Sequence, residues 1–112
     1  VNGAAVTNNA GTDWSFLVMG DWGGSETAPY TTAEEIDTAA GMEKMAAGDT
    51  LPGTDASPPH FALALGDNFY SHGIGGDCHD SRFKNTFEDV FTGPHLESPF
   101  TFHVVAGNHD HL

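Results

Sequence analysis

Positive charge is nearly absent from this sequence. Three Lys and Arg residues stand against 16 Asp and Glu, for a formal net charge of −13. Such a chain repels phosphodiester backbones and anionic lipid surfaces and offers no basic patch to steer either one, so no nucleic acid is expected among its partners. Cysteine is equally scarce. Cys78 stands alone, which rules out a disulfide within the chain, and its neighbours Gly75, Gly76 and Asp77 mark a loop, not a redox motif. It is left free to pair with a cysteine beyond these residues. No apolar run approaches the roughly 18 residues of a membrane-spanning helix, and no charged-then-apolar leader is present. The sequence opens on Val1 and stops on Leu112, directly behind a histidine-rich stretch, so both ends are expected to be cut. A chain of 112 residues holds at most one small domain with a limited core.

Residues 1–13 are small and polar with no hydrophobic period, and are expected to form an irregular lead-in; residues 14–112 are expected to form the N-terminal part of a single domain. The apolar run SFLVM over residues 15–19 predicts a strand buried on both faces, as in a parallel sheet. Thr31 and Thr32, each followed three residues later by glutamate, offer two overlapping capping boxes. They predict a helix from there to about residue 47, with Ile36, Ala39, Ala40, Met42, Met45 and Ala46 as its apolar face. Gly41 weakens its middle by roughly 1 kcal/mol, and Gly48 is its stop. Glu34, Glu35 and Glu43 are expected to serve solubility. A Pro-, Gly- and Asp-rich loop follows, then a second strand, FALAL over 61–65. A second helix is expected over residues 80–91, with Phe83, Phe87, Val90 and Phe91 as a core stripe. The third strand is FHVVA over 102–106. The order β-α-β-α-β implies an α/β fold with parallel strands, right-handed crossovers and helices covering the sheet.

Each strand ends in the same signature, a glycine followed by Asp or Asn: Gly20-Asp21, Gly66-Asp67 and Gly107-Asn108. Ligands of such sheets gather at the carboxyl ends of the strands, so the three turns should meet on one edge. They would bring together Asp21 from GDWGG, Asp67 and Tyr70 from GDNFY, and Asn108, His109, Asp110 and His111 from GNHDH. Carboxylate, phenol, amide and imidazole donors without thiolate suit ferric iron, manganese or zinc and exclude a structural cysteine-zinc site. One carboxylate shared by two ions gives the clamp used in phosphoryl transfer. Taken singly these motifs are weak. A Gly-Asp behind a strand is ordinarily a turn or a cap, and Tyr70 alone reads as a core tyrosine. The series in this order carries the signal.

The segments FLVMGDWGG, LALGDNFY, RFKNTFEDVF and VVAGNHDHL resemble the tartrate-resistant, type 5 group of purple acid phosphatases, within the calcineurin-like metallophosphoesterases. General members of that superfamily carry Asp-x-His behind the first strand. Here the sequence is Asp21-Trp22-Gly23, with a tyrosine three residues beyond Asp67, the swap that sets the purple enzymes apart. The resemblance implies the N-terminal half of the metallophosphoesterase β-sandwich fold, with active-site loops at the C-terminal ends of the strands. It implies an acid phosphatase that hydrolyses phosphate monoesters, small molecules or phosphoproteins, through a metal-bound hydroxide at a centre of Fe(3+) and a divalent ion, Fe2+, Zn2+ or Mn2+. It also implies a secreted, lysosomal or vacuolar enzyme.

By the same resemblance Asp21 would bind the ferric ion, Asp67 would bridge both ions, Tyr70 would bind iron as phenolate, and Asn108 would bind the divalent ion. His109 would approach the phosphate or protonate the leaving oxygen. Asn68, Asp110 and His111 would support these ligands from behind, with His111 open between that role and capping a following helix. His60, His72, His79, His95 and His103 occupy no family motif and read as surface or packing residues. The family's remaining ligands are histidines from later Val-x-x-His and Gly-His-x-His motifs, which these 112 residues lack, so the chain alone is expected to be inactive. The loops around residues 50–59 and 75–80 also depart from the family. Two other readings stand beside this one: a phosphodiesterase or nucleotide pyrophosphatase of the same superfamily, and a metal-binding chain without catalysis.

Overall fold

The computed structural model describes residues 14–49 and 57–111. The lead-in expected over 1–13 and most of the loop at 50–59 lie outside the described residues. The elements follow the order β1 (Leu17–Met19), α1 (Ala33–Ala46), β2 (Phe61–Ala64), a π-helical segment Phe83–Glu88, β3 (Thr101–Val104) and a 3-10 turn Asn108–His111. The three strands form one sheet in the order β1-β2-β3, all parallel, with Leu17 beside Ala62 and Ala62 beside Phe102. The α/β reading of the sequence therefore holds, and all three strand ends point to the same edge.

Of the two capping boxes, the one on Thr32 forms. Its Oγ1 accepts the Glu35 amide at 3.1 Å, and Glu35 Oε2 accepts the Thr32 amide at 3.4 Å. Glu34 and Glu35 in the first turn and Lys44 in the last complement the helix dipole. Gly48 ends the helix in the left-handed region, φ 97°. The inward face differs from the expected one: it is Glu35, Ala39 and Met42, with Met45 and Ala46 partly buried, while Ile36 is 51% exposed and Ala40 is exposed. The capping box draws Glu35 inward beneath Gly24, and at about 100° per residue this turns Ile36 out to solvent.

Leu17 and Met19 of β1 and Ala62 and Ala64 of β2 pack against Ala39, Met42, Trp22, Phe91 and Leu96. The small alanines of the central strand leave volume that rings fill. Trp22 meets Phe87 and Phe91 at 5.4 Å each, and Phe87 meets Phe102 at 5.1 Å. The second helix, expected over 80–91, is shorter and π-wound. The Asp89 amide bonds Lys84 O at 2.9 Å, five residues back, and the Lys84 and Asp89 side chains pair over the same span.

The expectation of a strand buried on both faces is corrected. The face of Leu17 and Met19 is covered over β1 and β2, though Val104 on β3 is 54% exposed there; on the other face Val18 and Leu63 are only half-buried, Leu65 is 58% exposed and Val105 57%. Both helical elements pack on the first face, so among the described residues no helix crosses the second. There Phe16 stacks on Phe61 at 5.1 Å, and His103 meets Phe61 edge-on at 5.4 Å.

Candidate metal centre

The loops behind the strands share a backbone device. Asp21 and Asp67 both adopt left-handed conformations, φ 54° and 52°. Aspartate tolerates this region better than most side chains. The Asp21 amide bonds Gly66 O at 3.2 Å, which ties the first loop to the second. Gly66 itself has φ 109°, and a Cβ there would lie 2.7 Å from Gly107 Cα, so the second and third loops touch backbone to backbone.

This packing brings three oxygen donors together. Tyr70 Oη donates to Asp21 Oδ1 at 2.9 Å and to Asp67 Oδ2 at 3.1 Å. Burial, then the bonds to Asp21 and Asp67, push the Tyr70 phenol far above its ordinary pKa. Asp67 moves the other way. The backbone N–H of His109 donates to its Oδ1 at 3.1 Å, and this bond, followed by that from Tyr70, holds the carboxyl below its usual range. One phenolic proton thus stands between two carboxylates, a place where a cation would satisfy all three oxygens at once.

Asp110 supports the arrangement from behind. Its carboxylate accepts the backbone N–H groups of Asn68 (2.9 Å), Phe69 (3.1 Å) and Gly107 (2.7 Å) and the Asn68 side-chain amide (2.8 Å). Asn68, buried, also donates to Val105 O at 2.8 Å and accepts from Trp22 Nε1 at 2.9 Å. These two residues pin the loop behind β2 to the loop behind β3. Asn108 is exposed at the start of the 3-10 turn, and His111 is exposed at its end. His109 lies between them with its ring edge-on to Tyr70 at 4.9 Å. Its Nδ1 sits 2.8 Å from Ser71 O, and because a carbonyl only accepts, Nδ1 carries the hydrogen and Nε2 is left for other chemistry.

The donor chemistry fits a hard ion at Asp21, Asp67 and Tyr70. Among the described residues no three His, Cys, Asp or Glu side chains converge, so the phenol is what completes the group.

Sequence reasoning missed two residues here. Glu35, read as a solubilising charge, is 5% exposed, and one of its oxygens is buried without a partner among the described residues. Burial pushes its pKa up to about 7 against the opposing pull of the Thr32 N–H and the Arg82 charge. It lines a cavity of about 160 Å³ that also touches Asp21, Trp22, Gly24 and Tyr70. The third position of its capping box, facing back over the helix start, was the available signal. Arg82, the only arginine in the sequence, heads the segment RFKNTFEDVF, and nothing beside it in the sequence marks its role.

No family model matches the chain. Over 97 residues, 87% of this chain, it is 46% identical to tartrate-resistant acid phosphatase type 5 of Sus scrofa and 44% identical to that of Homo sapiens. Over the same length it is 32% identical to purple acid phosphatase 3 of Arabidopsis thaliana. The chain spans about a quarter of the length of these relatives, 26%, 27% and 22% respectively.

Proposed function

We propose that this chain is the N-terminal part of a purple acid phosphatase and that the full-length protein hydrolyses phosphate monoesters. The observation that carries this reading is the Tyr70 phenol set between Asp21 and Asp67. A tyrosine oxygen placed on two carboxylates suits ferric iron, which favours anionic oxygen donors, better than it suits any purely structural role.

In this reading Asp21 and Tyr70 would hold the ferric ion, Asp67 would serve both ions, and Asn108 would offer its amide oxygen to the divalent one. When bound, two such ions neutralise phosphate oxygens and activate water. The chain's own residues set the stage for that chemistry. Asp110 and Asn68 keep the loops behind β2 and β3 in register, and the His109 backbone fixes one oxygen of Asp67. The His109 imidazole, anchored through its Nδ1–H on Ser71 O, leaves Nε2 free; with a second proton taken up there, the ring would give that proton to the leaving oxygen. The resemblance calls for further histidine ligands of Val-x-x-His and Gly-His-x-His motifs, which these 112 residues do not contain, and on this reading the chain alone is expected to be inactive. Substrates are phosphate esters of small molecules or phosphoproteins, met in a secreted, lysosomal or vacuolar setting. No helix among the described residues is long and apolar enough to cross a membrane.

The position that carries histidine in other metallophosphoesterases is Gly23, where a Cβ would lie 2.6 Å from the Phe69 amide. No side chain fits there, which argues against the phosphodiesterase reading. The test is turnover by the full-length protein. Hydrolysis of p-nitrophenyl phosphate, lost on chelation and in Asp67→Asn, is expected; preference for bis(p-nitrophenyl) phosphate, or turnover indifferent to Asp67→Asn, would overturn the proposal.

A further inference from the structure

Arg82 is the only arginine in a chain with 16 carboxylates, yet none of the ion pairs among the described residues involves it. Its guanidinium instead serves backbone carbonyls. Nη2 donates to Gly23 O at 3.2 Å and to Ser25 O at 3.4 Å, and Nη1 donates to Gly73 O at 3.3 Å. The planar group lies between two rings, 5.6 Å from the centre of Tyr30 and 5.5 Å from that of Phe69. Its Nε is buried with no acceptor among the described residues. This half-buried cation spends its donors on loop carbonyls, and no carboxylate among the described residues is paired with it directly, Glu35 feeling its charge only at longer range.

The carbonyls it holds belong to the two loops that matter most. Gly23 and Ser25 follow Asp21 in the loop behind β1, and Gly73 follows Tyr70 in the loop behind β2. Gly23 O also accepts the Tyr70 amide at 3.0 Å, so one carbonyl joins Arg82 to the backbone of Tyr70. Only a guanidinium fork reaches both loops from one side; a lysine ammonium is a single point. Before any ion arrives, Asp21 and Asp67 repel one another, and the loops need a brace that does not compete for the oxygens. Arg82 bonds them on carbonyls and leaves the carboxylates free.

We propose that Arg82 is a positioning residue that locks the loops of Asp21 and Tyr70 at the spacing where their oxygens meet, so that the iron-binding oxygens are assembled before the ion. This rests on the reading of Asp21, Asp67 and Tyr70 as ligands. The test compares full-length wild-type protein with Arg82→Lys and Arg82→Ala. In the metal-free state, hydrogen exchange of the peptide carrying Tyr70 should be roughly tenfold faster in both variants, the effect of one lost charge-assisted hydrogen bond. After loading with ferric iron, the visible tyrosinate band should shift and release to a competing chelator should quicken. Free guanidinium ion at low concentration should slow that release again in Arg82→Ala. Should Arg82→Ala fail to fold, Arg82→Lys decides. A variant with lower thermal stability but wild-type Tyr70 exchange, band and iron release would make Arg82 a brace of the fold only, and the proposal would be wrong. A wild-type protein that takes up no iron would instead sink the ligand assignment, while the metal-free exchange would still report on the brace.

Discussion

Gly107 and Asp67 are packed so closely that a Cβ on Gly107 would lie 2.2 Å from Asp67 Oδ1 and 2.3 Å from the Asp67 amide nitrogen. The glycine of the third loop is thus a condition for the position of the carboxylate in the second. Gly107→Ala in the full-length protein should cost about 1–3 kcal/mol by overpacking and lower metal content as Asp67 moves. Gly75→Ala is the control, because among the described residues a Cβ there meets nothing within 4 Å. Its change should stay within about 0.5 kcal/mol, typical of a surface site. Equal effects of the two substitutions in denaturant melts would contradict this account.

Glu35 should make stability depend on pH. Its pKa rises from 4.5 unfolded to about 7 folded, so between those values the folded state binds the extra proton. Stability then falls as pH rises through that window, and the whole penalty is present above about pH 7. Glu35→Gln keeps an oxygen for the Thr32 amide and removes the charge. It should flatten the slope between pH 4.5 and 7 and stabilise the protein at pH 8, by on the order of 3 kcal/mol at most. Parallel melting profiles of the two proteins across this range would show that Glu35 is not the group responsible.

Asp110→Asn replaces a carboxylate that accepts three backbone N–H groups and one side-chain amide. An amide has one accepting oxygen, so Phe69 loses its partner if that oxygen takes the Oδ2 place, and Gly107 and the Asn68 side chain lose theirs if it takes the Oδ1 place. A loss of roughly 2 kcal/mol is expected, with faster hydrogen exchange at Phe69 or at Gly107. Wild-type exchange at these amides would refute the stitching role.

Tyr70→Phe and His109→Ala should separate colour from catalysis in the full-length protein. Phenylalanine keeps the ring against His109 and deletes the oxygen between Asp21 and Asp67, so the visible charge-transfer band should vanish with the fold intact. His109→Ala keeps the backbone N–H on Asp67, so metal content should hold. Its turnover of alkyl phosphates, whose leaving groups need a proton, should fall roughly 10²-fold. Full absorbance in the first variant, or unchanged kcat in the second, would remove the role assigned to that residue.

How far the sequence was legible depends on the range of the interaction. The parallel order, the Thr32 capping box and the three Gly-Asp or Gly-Asn turns follow from local rules and appear where those rules put them. The side chains of Asp21, Asp67 and Tyr70 meet as the strand ends required. The inward rotation of Glu35, the π winding at Phe83–Glu88 and the uncovered face with Leu65 and Val105 were not legible. Each depends on what packs against the element from afar. The work of Arg82 was hidden for the same reason: a guanidinium bonded to carbonyls 9 and 59 residues away leaves no pattern in its own neighbourhood.

The left-handed backbone at Asp21 and Asp67 bears on how any mutational study of this edge should be built. Alanine at either position would have to hold a conformation that costs an ordinary L-residue about 1–2 kcal/mol, so an alanine scan would confound loss of a donor with a distorted loop. Glutamate would add the same distortion to a longer reach. Asparagine is the one replacement that shares both the shape of aspartate and its tolerance for this backbone. Differences between the Asn variants and wild type would therefore report the charge itself, and those between Ala and Asn variants the loop.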